Sequence, residues 1–189
     1  GKTTAAVNLA YESAGRGLRT LLCDLDPQGS SSYYLRVRAT EKLGGKTLLK
    51  GGRKLSRAIV ATDHAGLDLL PSAQSFRNLD LLLQERKRPR EALRDSLKEL
   101  GSGYDLVLLD CPPNLTLLSE SILRAAHRVV VPLVPTTLSW NAYQLLTEFA
   151  RERGINKRRL LPFFSMVDSR KTIHRETMRT IEAIAPSLC

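Results

Sequence analysis

Cysteine is scarce in this chain. Three occur in 189 residues, Cys23, Cys111 and Cys189. They stand far apart and none belongs to a CxxC pair, which argues against a zinc site or a disulfide framework. A reducing cytoplasm is the expected setting. Histidine is equally sparse: His64, His127 and His174 are isolated, and each reads as a surface or hydrogen-bonded side chain rather than a metal ligand. Long apolar runs are also missing. No stretch approaches the roughly 20 residues that cross a bilayer. The opening Gly1-Lys2-Thr3-Thr4 does not follow the basic-then-apolar pattern of a secretory leader.

What is present is an ordinary globular balance, 42% hydrophobic and 25% charged, which excludes wholesale disorder. The length suits one domain over residues 1–189. Lys and Arg number 29 against 19 Asp and Glu, a formal net charge of +10. That balance favours an anionic partner: nucleic acid, acidic lipid or a polyphosphate. It does not choose among them, and basic side chains kept for solubility satisfy it equally.

Strand and helix patterns alternate along the chain. Ala6, Leu9, Ala10 and Ala14 recur at helical spacing, and Gly15 and Gly17 stop that helix. Thr20–Cys23 reads as a buried strand ending at Asp24, and Asp26 to Ser32 as a loop. Gly44-Gly45 and Gly51-Gly52 bracket irregular ground; Leu67–Leu70 is a further strand. Helices are expected over 76–85 and 91–100, then a clear strand, Leu106–Leu109, ending at Asp110. A helix over 117–126, a strand at Val129–Val131, a helix from about Trp140 to Arg153, a strand over 160–167 and a helix over 173–184 complete the reading. Apolar strands alternating with helices imply an α/β fold, a doubly wound and mostly parallel sheet with helices on both faces. Ligands bind such sheets beyond the carboxyl ends of the strands. Asp24, Asp26, Asp110 and Asp168 all fall at or just past strand ends.

Three segments carry chemistry. Gly1-Lys2-Thr3-Thr4 opens a helix and matches the end of the phosphate-loop pattern GxxxxGK[ST]. Backbone N–H groups at a helix start face a phosphate, and the helix dipole favours negative charge there. Lys2 would reach the β and γ phosphates and Thr3 would give a hydroxyl to Mg²⁺. A plain capped helix accounts for the same four residues. Asp24-Leu25-Asp26-Pro27-Gln28-Gly29 sets two carboxylates past a strand end, where they can face one water or metal; Asp-Pro-Gln-Gly is also good turn chemistry. Leu106–Leu109 followed by Asp110 is a Walker B pattern, sharpened by Cys111-Pro112-Pro113.

Together GKTTAAVNLA, DLDPQGSSS, YDLVLLDCPPNLTLL and VVVPLVPTTLS resemble the ParA/Soj branch of the deviant-Walker-A ATPases, in order and spacing across nearly the whole chain. LDLLPSAQSF resembles the stretch before that family's long helices. The resemblance implies a P-loop fold and a slow ATPase that uses ATP and Mg²⁺. It makes Gly1, Lys2 and Thr4 phosphate-loop residues and Thr3 a Mg²⁺ ligand. Asp24 and Asp26 then belong to the first switch, Asp26 orienting the attacking water. Asp110 becomes the Walker B acid, with Asp24 beside it at the metal, and Pro112 lies in the second switch. Met166 and Asp168 would lie beside adenine and ribose. The family's signature lysine precedes the position where this sequence starts. The resemblance therefore leads us to expect a strand and glycine-rich loop upstream of Gly1, closing helices beyond Cys189, and weak or absent hydrolysis from residues 1–189 alone.

The resemblance further implies an ATP-driven homodimer, non-specific DNA binding, a ParB-like stimulating protein and a cytoplasmic, nucleoid-associated location. Candidate DNA contacts are Arg158 and Arg159 in one cluster and Arg170, Lys171 and Arg175 in another. Three alternatives stand beside it. A MinD-like membrane-associated positioning ATPase would need a terminal amphipathic helix. A metabolic relative would be an amidoligase, or an iron–sulfur electron donor with cluster cysteines. The third is a non-catalytic scaffold, and within the resemblance itself the cargo is a chromosome, a plasmid or, in a ParA-like positioning protein, another cellular assembly.

Overall fold

The structure of the protein, a computed structural model, describes residues 1–39 and 43–184. Cys189 lies outside the described residues. The fold divides into two compact units. One comprises Thr3–Ala125; the other comprises Gly1–Lys2 with Ala126 onward.

The first unit is built on a four-stranded sheet. Its strands are β1 (Thr20–Asp24), β2 (Val60–Ala61), β3 (Leu67–Leu70) and β4 (Leu106–Asp110), in the spatial order β2-β3-β1-β4. β1 pairs in parallel with both β3 and β4, and β2 adds an antiparallel edge. Side chains alternate across a strand, and the core divides accordingly. Leu22, Leu67, Leu69 and Leu108 face α1 (Lys2–Gly15) through its Ala6, Val7, Ala10 and Ala14. Leu21, Cys23, Leu70, Val107 and Leu109 face the opposite side. There they meet α3 (Gly45–Lys50), α4 (Gly52–Ser56), α5 (Leu79–Gln84), α6 (Ala92–Gly101) and α7 (Leu117–Ala125). Helices thus cover both faces, as the alternation predicts. The apolar Leu106–Leu109 run is only half-buried, because β4 is an edge strand among the described residues.

α1 runs antiparallel to the strands. Gly66, at the entry of β3, sits against Ala14 near the end of α1. The start of α1, with Thr3 and Thr4, therefore points toward the carboxyl edge of the sheet.

The second unit pairs β5 (Val129–Leu133) with β6 (Leu160–Phe164) in parallel, joined by α8 (Thr137–Glu152). A small core gathers Val131, Leu133, Trp140, Tyr143 and Phe164 around Ile181 of α9 (Thr172–Ile184).

Several local expectations need correction. Ser30–Ser32, expected as loop, open a short helix, α2 (Ser30–Tyr34); serine is a weak helix former, so composition hid it. The ground between Gly44 and Gly52 is not irregular but holds α3 and the start of α4, because Leu48, Leu49 and Leu55 fall on a buried face. Gly51 breaks the two apart with φ 68, and a Cβ there would lie 2.9 Å from the Ser96 carbonyl oxygen. The helix expected over 76–85 is a 3₁₀ turn, Gln74–Asn78, followed by α5. β2 carried no legible pattern. β6 stops at Phe164 rather than Val167, since Met166 adopts a left-handed φ of 55 that a ladder cannot continue. Leu9 is exposed; the buried stripe of α1 runs 6, 10, 14 instead.

Candidate nucleotide and magnesium site

The parallel register of β1 and β4 sets Asp24 directly opposite Asp110 at the carboxyl edge. Side chains alternate, so both carboxylates leave the sheet on the face of Leu22 and Leu108, which is the face α1 covers. Both are buried.

Serines from α2 hold them there. The Ser31 hydroxyl donates to Asp110 Oδ2 at 2.8 Å. The Ser32 backbone N–H and hydroxyl both donate to Asp24 Oδ2, at 2.8 and 2.7 Å. The Ser72 N–H, just past β3, donates to Ser32 Oγ at 2.9 Å, and the Ser72 hydroxyl donates to the Asp26 carbonyl at 2.5 Å. Three strand ends are thereby tied to one helix. None of Ser31, Ser32 and Ser72 was singled out from sequence. The only signal was three consecutive serines after Asp-Pro-Gln-Gly.

The electrostatics of the pair are unfavourable without a cation. Burial pushes the Asp24 carboxyl above its ordinary range, and the neighbouring Asp110 charge adds to that; the Ser32 hydrogen bonds oppose it. Asp24 Oδ1 is buried and lacks a hydrogen-bond partner among the described residues. A buried carboxylate oxygen left unpaired is costly unless something positive meets it. The donors gathered here are oxygens, which suit a hard divalent cation such as Mg²⁺. No group of three or more His, Cys, Asp or Glu side chains is placed to cage a metal among the described residues. Mg²⁺ takes one or two carboxylates and completes its shell from water and phosphate. Thr3, half-buried at the start of α1, can add a hydroxyl.

Asp26 is arranged differently. Its Oδ1 accepts the Gln28 N–H at 2.9 Å, and its carbonyl accepts the Gly29 N–H at 2.9 Å. It therefore anchors the turn that launches α2. Pro112 follows Asp110 and is half-buried. Cys23 and Cys111 flank the carboxylates in sequence; burial raises the Cys23 thiol far above its usual range, so it packs as an apolar group.

The remaining candidates, Thr4 apart, lie in the second unit. Gly1 sits against Pro132, and Lys2 is exposed; Thr4, in the first unit, is exposed and its carbonyl accepts from Asn8 at 2.8 Å. Met166 is 69% exposed. The Asp168 carboxylate is gripped by the Arg170 guanidinium at 3.1 and 3.2 Å, which lowers its pKa. Arg175 donates to the Ser169 carbonyl at 2.7 Å and to the Thr172 hydroxyl at 3.2 Å. Of the cluster expected to meet DNA, Arg170 and Arg175 thus also brace their own loop, whereas Lys171 is exposed. Arg158 is exposed on the 3₁₀ turn Lys157–Arg159, which Asn156 caps, and Arg159 is half-buried.

A family model described as an AAA domain matches residues 1–159. The chromosome partitioning protein ParA of Caulobacter vibrioides is 32% identical over 190 residues, covering 97% of this chain and 71% of that protein. The chain belongs to the ParA/Soj family. Its ParA/Soj fold is shared with a crystal structure of cobyrinic acid a,c-diamide synthase from Mycobacterium smegmatis with a bound ATP analogue and magnesium. That protein is 31% identical, with a TM-score of 0.83 over 96% of this chain and 76% of its own. Uncharacterized Pseudomonas putida proteins are 35% identical over 134 residues, 70% of this chain; the match spans 51% of their length. Among the described residues, no helix of this ParA/Soj chain is long and apolar enough to cross a membrane.

Proposed function

We propose that the chain is the ATP-binding domain of a partitioning ATPase that couples ATP-driven dimerisation to non-specific DNA binding. The observation that carries this reading is the Asp24–Asp110 pair: two buried, serine-braced carboxylates face each other across β1 and β4, and one oxygen has no hydrogen-bond partner among the described residues. Such a pair asks for a cation, and the GKTT start of α1 asks for a phosphate. ATP with Mg²⁺ meets both demands.

Under this reading Thr3, Asp24 and Asp110 hold Mg²⁺, which when bound neutralises charge on the β and γ phosphates. Lys2 and the N–H groups of Gly1, Thr3 and Thr4 bind the phosphates. Asp26 orients the attacking water from the turn that launches α2, and its carboxylate accepts that water's proton as the γ-phosphate departs. Pro112 shapes the second switch, while Met166 and Asp168 flank the base and ribose. α2 connects the chemistry to conformation, because Ser31 and Ser32 grip the same carboxylates that hold the cation. A change at the phosphates is thereby passed to α2 as a change in hydrogen bonding, which gives the dimer its nucleotide dependence.

Arg158, Arg159, Arg170, Lys171 and Arg175 neutralise DNA phosphates, so binding weakens with salt. A ParB-like protein accelerates turnover, and the nucleoid-associated cytoplasm is the working place. A second reading, an ATP-using diamide synthase, draws on the likeness to the Mycobacterium smegmatis enzyme. DNA retention by the full-length protein separates the two. The partitioning reading expects retention that needs ATP and Mg²⁺, declines steeply between low and high salt, and is lost in Asp110→Ala. Retention indifferent to nucleotide, or none at any salt, overturns it.

A further inference from the structure

His174 is one of three histidines, and it is buried at 6% exposure in the first turn of α9. It shares the inner face of that helix with Thr177 and Ile181, at the i, i+3, i+7 positions of a helical stripe. Its ring turns back toward the preceding loop, where Nδ1 accepts the Asp168 backbone N–H at 3.1 Å. A neutral ring that accepts at Nδ1 carries its proton at Nε2. The contact resembles a capping box in which a third-turn-position side chain reaches back to a backbone donor. Here the reach is longer and fixes a loop rather than the helix end alone.

Other bonds hold that loop as well: the Arg170 guanidinium grips the Asp168 carboxylate at 3.1 and 3.2 Å, and Arg175 of α9 donates to the Ser169 carbonyl at 2.7 Å. Ser165 N–H donates to the Leu133 carbonyl at 2.8 Å and Lys171 N–H to the Asp168 carbonyl at 3.1 Å. Between them Met166 stands in a left-handed conformation, φ 55, which a long unbranched side chain adopts only when its surroundings impose it. Among the described residues, the Asp168 N–H bond to His174 is the side-chain bond that ties residue 168 to the buried face of α9. We propose that His174 is a positioning residue whose Nδ1 holds the 165–171 segment in the conformation that presents Met166 and Asp168 to the base and ribose of a nucleotide. This rests on the ATP-binding reading above.

The test compares His174→Ala, which removes the acceptor, with His174→Asn, whose Oδ1 occupies nearly the place of Nδ1. Amide hydrogen exchange at Asp168 in the full chain, followed by NMR, should quicken about tenfold in the alanine variant and stay within about twofold of native in the asparagine variant, the scale of one hydrogen bond. ATP affinity should fall about tenfold in His174→Ala, with a narrower preference for ATP over GTP, and both should recover in His174→Asn. An asparagine variant as impaired as the alanine variant overturns the proposal, as does an unaltered Asp168 amide. Equal losses for ATP and GTP also overturn it, because they reduce His174 to a general stabiliser. Native protein that binds no nucleotide would sink the ATP-binding reading and this ligand with it, while the exchange arm still decides whether His174 holds the loop. Should His174→Ala fail to fold, the asparagine variant alone decides: wild-type exchange and wild-type ATP preference support the proposal, and loss of either overturns it.

Discussion

At the ends of β1 and β4, two carboxylates are fixed by strand register, burial and three serines. After β6, Met166 and Asp168 ride on an exposed segment fixed by backbone hydrogen bonds, an arginine fork and one histidine. The first arrangement stores electrostatic tension, since it buries two like charges side by side. The second stores little, because Asp168 already has Arg170 as counter-charge. The contrast implies a division of labour. Under the proposed reading, the groups that would meet a cation are held by register and serine hydrogen bonds. The groups that would meet a base are held by a loop braced at Asp168 by Arg170 and His174.

The comparison can be broken most directly at the carboxylates. Asp110→Ala in the full-length protein should reduce ATP hydrolysis by about 1000-fold, while Asp168→Ala should cost no more than about tenfold. Phosphate-release kinetics check both, and comparable losses would erase the distinction between the two regions. Asp26→Ala should slow hydrolysis about 100-fold yet leave ATP affinity within about threefold, so that ATP-bound dimer accumulates on a sizing column. Normal turnover in that variant would remove Asp26 from the reaction.

Stability gives a second axis. Leu22 is fully buried between β1 and α1. Leu22→Ala should destabilise by about 2–5 kcal/mol, whereas exposed Ile173→Ala should stay within about 0.5 kcal/mol. Urea melts check the pair.

The buried acid gives a third. Asp24 binds its proton more tightly when folded than when unfolded, because burial and then Asp110 raise its native pKa. Its charged form therefore weakens the fold above that native pKa, and the penalty fades as pH falls through it toward the unfolded value. Asp24→Asn should raise the melting temperature at pH 7 in magnesium-free buffer, and its advantage should shrink as the pH is lowered. Calorimetry across pH checks the sign; a lower midpoint at pH 7 would show that the paired acids are not a native-state burden. The smallest effect belongs to Arg170→Ala. Its side chain is 89% exposed, so losing the pair with Asp168 should leave the urea midpoint close to that of the native protein.

Much of this was legible in the chain. Asp24 and Asp110 each end a short continuous apolar run, and those runs made both strands readable. Gly1-Lys2-Thr3 at a helix start and Cys111-Pro112-Pro113 after the second acid supplied the family. The serine brace was not legible, since Ser30-Ser31-Ser32 has the composition of a loop and its helix depends on bonds to residues far along the chain. The ties of Arg170 and Arg175 were hidden too, because a basic cluster looks the same whether it is free or engaged.

Periodicity, strand-end acids and turn chemistry are local properties, so residue order was enough to set the longer strands and helices, the α/β class and the candidate acids. Which acids face each other, which oxygen is left without a partner, and which histidine nitrogen meets which amide are matters of register and long-range contact. Ser31 lies 79 residues from Asp110 along the chain. Only folding, with side-chain direction fixed by a parallel ladder, brings such groups within 2.8 Å.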